Sequence, residues 1–208
     1  SGDWSSDVCS SDLISETASL LNEAGFLILI EPAEGETCRA LHQACARAVD
    51  GNSRLHLQAP YFNGMPCPLL RKDDKFFSHE VRACVPPRSV ERINLPLNLE
   101  IREIKFGMSI LSRMQARRLP GDCGVLRIIS PVRKRKGVIT LWGIGIDGKE
   151  IQYEWQRRNL SKEDQKELLS LQRGDLIESR ERSEGKDHRI RLLKAGDVLP
   201  LFLPRFVK

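Results

Sequence analysis

Four consecutive cations, Arg133 to Lys136, are the residues of this sequence best suited to bind a ligand. The flanking segments 125–129 and 138–142 are rich in β-branched and apolar residues, which is typical of β-strands. Pro131 and Gly137 bracket the cations, so we predict a hairpin loop between two strands. Four like charges repel one another unless a polyanion is near, and a phosphate backbone is the commonest such partner. The alternative is a solvated hairpin tip.

The charge of the chain favours the phosphate interpretation. Residues 101–208 contain 24 Lys and Arg against 14 Asp and Glu, whereas residues 1–100 contain 9 against 14. A basic half is the electrostatic footprint expected of a nucleic-acid-binding domain. We therefore predict that the RNA-binding residues are Arg127, Arg133, Lys134, Arg135 and Lys136.

Other residues that could do chemistry are scattered. The histidines show neither H-x-x-x-H spacing nor Cys/His pairing, and no serine stands in a nucleophile elbow, so we predict no catalytic residue and no zinc site. The cysteines after residue 13 are odd in number and lack a C-x-x-C pair, which indicates free thiols in a reducing compartment. They are Cys38, Cys45, Cys67, Cys84 and Cys123. No apolar run approaches the roughly 20 residues of a membrane span, so we expect no membrane partner.

Aromatic side chains in the basic half admit two interpretations. Trp142, Tyr153 and Trp155 fall on predicted strands and could stack on nucleic-acid bases. Packing in a core is favoured over stacking, because aromatic residues on strands are more often buried.

The first part of the chain alternates helices and strands, which predicts a parallel α/β sheet. The strand at 26–30 is apolar at every position, so both of its faces should be covered. The predicted elements are a helix at 15–21 capped by Ser15, strands at 26–30, 55–59 and 103–111, and a helix at 35–50. Residues 60–99 are proline-rich and predict an ordered insertion with a short helix around Phe76, Phe77 and Val81.

After residue 121 the pattern changes to β. Strands are predicted near 124–130, 137–146, 149–156, 175–182 and 188–193. A helix from Ser161 to Leu171 follows the third strand. Five strands with one helix in this place predict a small closed barrel of the oligonucleotide-binding (OB) kind.

Residues 3–13 resemble a translated sequencing adapter, so we exclude residues 1–13 from the reasoning about the fold. We expect the native reading frame to begin near Ile14, with part of the gene missing upstream. The domain prediction is then residues 14–120 as one unit, with the proline-rich insertion at 60–99, and residues 121–208 as a basic β-rich extension that binds RNA.

Five segments carry a resemblance to a known family: LLNEAGFLILIEP (20–32), APYFNGMPCPL (59–69), FSHE (77–80), EIKFGMSILSR (103–113) and RIISPVRKRKG (127–137). In order and spacing they resemble the small-ribosomal-subunit methyltransferase-like family, which includes a mitochondrial ribosome assembly factor and bacterial relatives. The resemblance implies the C-terminal part of a Rossmann-like methyltransferase sheet, followed by a β-rich extension. It also implies small-subunit ribosomal RNA and ribosomal proteins as partners.

The chain departs from that family at two sites. The cofactor loop for S-adenosylmethionine lies upstream of the matched part, so we expect no cofactor-binding residue here and S-adenosylmethionine only in a full-length parent. The family's four iron–sulfur cysteines correspond to Tyr61, Cys67, Lys75 and either Ile144 or Gly145. One thiolate cannot hold a cluster, so we expect none, with Tyr61 and Phe76 filling its place.

Three functions are compatible with these observations. The first is a fragment of a methyltransferase-like protein that binds ribosomal RNA in small-subunit assembly and translation, inactive alone. The second is a ribosomal RNA methyltransferase truncated before its cofactor loop. The third is a non-enzymatic domain that binds an acidic protein. A bacterial, cytoplasmic protein is favoured over one of the mitochondrial matrix, and the oligomeric state is left open.

Overall fold

The computed structural model describes residues 6–51, 54–72, 75–99, 101–120, 124–179 and 189–204, with side chains from residue 12 onward. Its strands form two sheets, and helices pack beside them. The predicted α/β class is confirmed. The strands of the first sheet lie between residues 26 and 112, and those of the second between residues 125 and 202.

The first sheet and its helices comprise α1 (Ser6–Ser19), β1 (Phe26–Pro32), α2 (Gly35–Gly51), β2 (His56–Ala59), β3 (Glu80–Ala83), α3 (Arg88–Leu97) and β4 (Glu103–Ser112). Helix α1 begins before Ser15, so Ser15 lies inside the helix and does not cap it. The helix predicted around Phe76, Phe77 and Val81 is wrong, because Val81 lies in β3 and the helix follows at α3.

The pairing in the first sheet differs from the prediction. Strand β4 lies between β1 and β2, and it also pairs with β3. All three pairings are antiparallel, with Ile28 opposite Ile110 and Leu57 opposite Leu111. Both β1 and β2 run antiparallel to β4, so they point the same way, but the inserted β4 keeps them apart. The predicted parallel pairing is therefore wrong.

Only one face of β1 is covered. Helix α2 buries one apolar face, including Cys45, against Leu57 and Leu111, and Leu27 and Leu29 pack against the same cluster. The other face of β1 presents Phe26, Ile28 and Ile30, each more than half exposed. The prediction that both faces are covered is wrong for the described residues.

The second sheet contains β5 (Val125–Ile128), β6 (Arg133–Arg135), β7 (Val138–Gly145), β8 (Glu150–Gln156), β9 (Leu176–Ser179), β10 (Arg189–Leu192) and β11 (Val198–Phe202). Their order is β10-β8-β7-β5-β9-β11, with β6 also on β7. Strand β10 runs parallel to β8, and the other pairs are antiparallel. These pairs leave β10 and β11 as edges, so they do not close the predicted barrel.

Helix α4 (Lys162–Ser170) follows β8, as predicted. It begins with a capping box, in which the backbone N–H of Asp164 donates to Ser161 Oγ and the Asp164 carboxylate accepts from the backbone N–H of Ser161. Such a box satisfies two backbone donors that a helix start leaves unpaired. Local sequence therefore fixes the start of this helix.

Candidate nucleic-acid interface

The second sheet has an inner face that forms its core and an outer face that carries the candidate site. Because strand residues alternate between faces, Ile139, Leu141 and Trp155 point inward and are fully buried. We define the outer face by the residues that alternate with these, which include Val138, Thr140, Trp142 and Ile144 on β7 and Gln152, Glu154 and Gln156 on β8.

The basic run is a paired strand, not only a loop. Strand β6 pairs with β7 through Arg133 opposite Thr140, Lys134 opposite Ile139 and Arg135 opposite Val138. Because β5 and β6 pair with the same side of β7, they form one interrupted hairpin arm. The sequence predicted a loop here because Pro131 and Gly137 bracket the run between two strand patterns, and it missed the ladder that the run makes with β7.

Strand alternation divides the cations between two faces. Arg133 and Arg135 share the outer face with their partners on β7, whereas Lys134 lies on the other side with Ile139. The turn follows at Lys136 and Gly137, whose φ of 79° suits glycine. We call the four cations, Arg133 to Lys136, the basic hairpin. All four are exposed. None of them forms an ion pair with a carboxylate in the described parts of the chain.

Arg127 is not part of this surface. It lies on β5, is only 8% exposed, and forms an ion pair with Glu80 of β3. Glu80 is 2% exposed and also accepts from Arg82 at 2.6 Å. The prediction that Arg127 contacts RNA phosphate is therefore corrected, because its guanidinium is neutralised inside the protein. We call Glu80, Arg82, Arg127 and Arg173 the buried junction.

The buried junction joins the two sheets. Arg82 donates to the carbonyl of Arg173 at 3.0 Å, and Arg173 donates to Nδ1 of His79 at 3.3 Å. Burial, and then the charge of Arg173, lower the pKa of His79. The turn at Gly174 has a φ of 87°, and a Cβ there would lie 2.5 Å from Glu80 Oε2. Glycine is thus required for the turn to approach the carboxylate.

The proline-rich insertion covers one end of the outer face. Arg39 of α2 donates to the carbonyl of Phe76 at 3.1 Å, which ties the insertion to the first sheet. Lys72 of the insertion forms an ion pair with Glu150 of β8 at 2.7 Å, which ties the insertion to the second sheet.

The insertion also packs against the second sheet through apolar contacts. Its residues Tyr61 and Cys67 form a buried cluster with Leu69 and Ile144. The outer face is therefore closed at Ile144 and open at the basic hairpin.

The resemblance assigns four positions to iron–sulfur ligands, with Ile144 and Gly145 as alternatives for the fourth. Tyr61, Cys67 and Ile144 come together in that cluster, whereas Lys75 is exposed and lies outside it. The Tyr61 hydroxyl donates to Ser78 Oγ at 2.8 Å and accepts from the Cys67 thiol at 3.7 Å. Burial raises the pKa of both Tyr61 and Cys67.

This donor set does not fit an iron–sulfur cluster. Cluster ligation needs several thiolates, and here one protonated thiol faces a phenol and an alkyl side chain. Of the two predicted fillers, Tyr61 is part of the cluster. The second predicted filler is wrong, because Phe76 is 52% exposed, with Lys72 Nζ 5.2 Å from its ring centre. Among the described residues, no three His, Cys, Asp or Glu side chains are grouped to hold a metal ion.

The strand-to-helix turn of the first sheet packs against an aromatic side chain. This turn joins β1 to α2, and a Cβ at Gly35 would lie 3.4 Å from the Phe77 ring. The close approach that a glycine turn offers to a nucleotide is therefore taken by an aromatic side chain. Glu31, at the end of β1, pairs in register with Gly107 of β4.

Of the three aromatic residues discussed for the basic half, two pack in the core and one is partly exposed. Tyr153 and Trp155 are buried in the core, and Trp155 Nε1 donates to the carbonyl of Lys194 at 3.0 Å. Trp142 is 37% exposed on the outer face, two residues along β7 from Ile144 at the closed end. It is the aromatic residue of the three that a base could reach.

The histidine at α2 is structural. His42 is 4% exposed, and its Nδ1 lies 3.0 Å from Ser109 Oγ of β4. Burial lowers the pKa of His42 to about 4, so the ring is neutral near pH 7. A neutral, buried ring packed between a helix and a strand has no access to substrate.

Sequence reasoning missed several cations near the basic hairpin. Arg157 follows β8, and Lys162 and Lys166 lie on α4, all beside Lys134. Arg191 lies on β10 in register with Glu154, so it shares the outer face. The helical spacing of Lys162 and Lys166 was a usable signal, whereas their proximity to the hairpin depends on how α4 packs.

Comparison with known proteins adds no relative: neither a protein-family model nor a curated protein matches this sequence. Within the described residues, no helix is both long and apolar enough to cross a membrane.

Proposed function

We propose that this chain is an RNA-binding part of a methyltransferase-like protein that acts on the small ribosomal subunit, in ribosomal RNA binding and subunit assembly. The observation that carries the proposal is the basic hairpin. Its four cations are held on a paired strand and exposed, and no described carboxylate neutralises them. Fixed, unpaired cations are arranged for phosphate groups.

The strand order of the second sheet supports an OB-like assignment. Leaving out the short β6 and the terminal β11, the strands form the order 5-3-2-1-4, and α4 lies between the third and the fourth. OB folds bind oligonucleotides on the face of strands two and three and with the loop between strands one and two. The basic hairpin occupies that loop, and Trp142 lies on that face.

The first sheet supports the Rossmann-like assignment more weakly. Strands β1 and β2 run in the same direction on either side of an antiparallel β4, with α2 connecting them over one face. The apolar side chains left exposed on β1 are what a doubly covered sheet would present where its second helix layer is missing. We infer that these strands belong to the end of such a sheet.

The contact of Tyr61 and Cys67 with Ile144, one of the two alternatives for the fourth position, supports the family resemblance. Ile144 is distant in sequence from Tyr61 and Cys67, and the resemblance alone placed the three at one metal site. We propose that the chain keeps the shape of that site, without its chemistry, as a packed contact between the insertion and the second sheet.

We infer that the chain does not transfer methyl groups alone, because the β1–α2 turn is closed by Phe77 and no glycine-rich cofactor loop is present in the sequence. An acidic protein partner is the competing function, since it would use the same cations.

Selectivity for RNA tests the proposal. The full chain is titrated with fluorescent fragments of small-subunit and large-subunit ribosomal RNA, and with an acidic peptide, at one salt concentration. We expect the tightest binding to a small-subunit fragment. Equal affinity for both RNAs would reject the small-subunit assignment, and preference for the peptide would reject RNA binding.

A further inference from the structure

A groove of about 650 Å³ lies between the basic hairpin and α4, away from the outer face. Lys134 forms its hairpin side, Arg157 its base, and Lys162 and Lys166 its helix side, with Leu169 also exposed to it. Cations from three separate elements therefore meet at one concave surface. We call this surface the basic groove.

Helical geometry explains why α4 contributes two cations and no carboxylate to the basic groove. Lys162, Lys166 and Leu169 are spaced by three or four residues and share one face of the helix. Glu163 and Glu167 lie about 100° or more from the centre of that face, and Asp164 is engaged in the capping box. Among the described residues that line the basic groove, none carries a carboxylate.

Arg157 is held in place without being neutralised. Its Nε donates to Gln165 Oε1 at 3.2 Å, and its Nη1 donates to the carbonyl of Arg135 at 3.5 Å. Its backbone N–H donates to the carbonyl of Gly137 at 2.9 Å. These bonds connect the hairpin to α4 through neutral acceptors, so the positive charge of Arg157 is fixed and remains available to a ligand.

We propose that the basic groove binds a second segment of RNA backbone, continuous with the segment on the outer face, and that it binds without reading sequence. The proposal rests on the proposed function. Lys134 connects the two surfaces, because it lies on the opposite side of β6 from Arg133 and Arg135. No aromatic ring lines the described part of the groove, so phosphate contacts and not base stacking supply the affinity.

The test removes the helix cations and leaves the hairpin intact. In the variant Lys162→Gln/Lys166→Gln, helix propensity is preserved because Lys and Gln are similar helix formers. The control variant Lys105→Gln/Lys149→Gln removes two exposed lysines outside the groove. The binding constant of the full chain is measured at several salt concentrations for two single-stranded RNAs of about 16 nucleotides. One RNA has a mixed sequence, and the other contains only uridines.

We expect the groove variant to reduce the slope of log K against log salt by about 1.4, equally for both RNAs, because each phosphate contact contributes about 0.7. The control variant should keep the original slope. An unchanged slope in the groove variant overturns this inference. If the variant Arg133→Ala/Lys134→Ala/Arg135→Ala/Lys136→Ala still weakens binding, the proposed function survives that failure. Unequal losses for the two RNAs would also overturn the inference, since the groove would then read bases.

Discussion

Arg127 of the buried junction and the arginines of the basic hairpin lie on the same sheet, yet they differ in what surrounds their charges. At the junction, Arg127 is 8% exposed and paired with Glu80. At the hairpin, Arg133 and Arg135 are exposed and have no described carboxylate partner. The Arg127 guanidinium is structural because a carboxylate of the first sheet reaches it, whereas those of Arg133 and Arg135 meet no described carboxylate and are available to a ligand.

The largest effect is expected at the junction. In Glu80→Gln, the charges of Arg127 and Arg82 remain buried without a carboxylate, which is a costly arrangement. We expect the free energy of unfolding to fall by about 3–5 kcal/mol in urea denaturation. The control is Glu103→Gln, which removes an exposed carboxylate of β4 and should have little effect. Equal stability of the two variants would show that the junction is not a structural ion pair.

The next effect is the pH dependence of the free energy of unfolding, to which His42 of α2 contributes. The pKa of His42 is lowered to about 4 by burial, whereas an unfolded histidine titrates near 6.5. The contribution of neutral His42 to the free energy of unfolding is therefore fully present above about pH 6.5. It is lost as the pH falls towards 4, because in this range only the unfolded chain takes up the proton. Between about pH 8 and pH 5 we expect a loss of about 2 kcal/mol.

His79 should act in the same direction, because its pKa is also lowered. In His42→Asn, urea denaturation should show a smaller loss over the same pH range. An undiminished loss would contradict the role of His42.

A smaller effect is expected at Cys67. Removing its thiol in Cys67→Ala leaves a small cavity against Tyr61, which should cost about 1–2 kcal/mol in urea denaturation. Cys84→Ala, at a partly exposed thiol, should cost less.

We also expect the full chain, treated anaerobically with iron and sulfide, to stay colourless and without stoichiometric iron. A brown, iron-containing protein would show that the cluster forms despite the donors present.

Local rules explain which elements were predictable. Helix α2 was readable from its apolar spacing, and α4 from the Ser161 and Asp164 capping box. Strand β4 was predicted as an element, but its place between β1 and β2 depends on pairing across about 80 residues, which no local pattern encodes. The parallel sheet was wrong for that reason.

The candidate site was predictable to a similar extent. The sequence located the basic hairpin, because a run of four like charges is visible without a structure. The pairing of Arg127 with Glu80 was not predictable, since 47 residues separate them and only the packing of one sheet on the other brings them together. The basic groove depends in the same way on the position of α4.

The salt dependence of RNA binding tests the central claim most directly. The slope of log K against log salt is measured with a small-subunit ribosomal RNA fragment, for the full chain and for the variant with Ala at Arg133, Lys134, Arg135 and Lys136. We predict that the variant slope is smaller by about 3, as expected for the loss of four phosphate contacts. An unchanged slope would contradict phosphate binding by the basic hairpin.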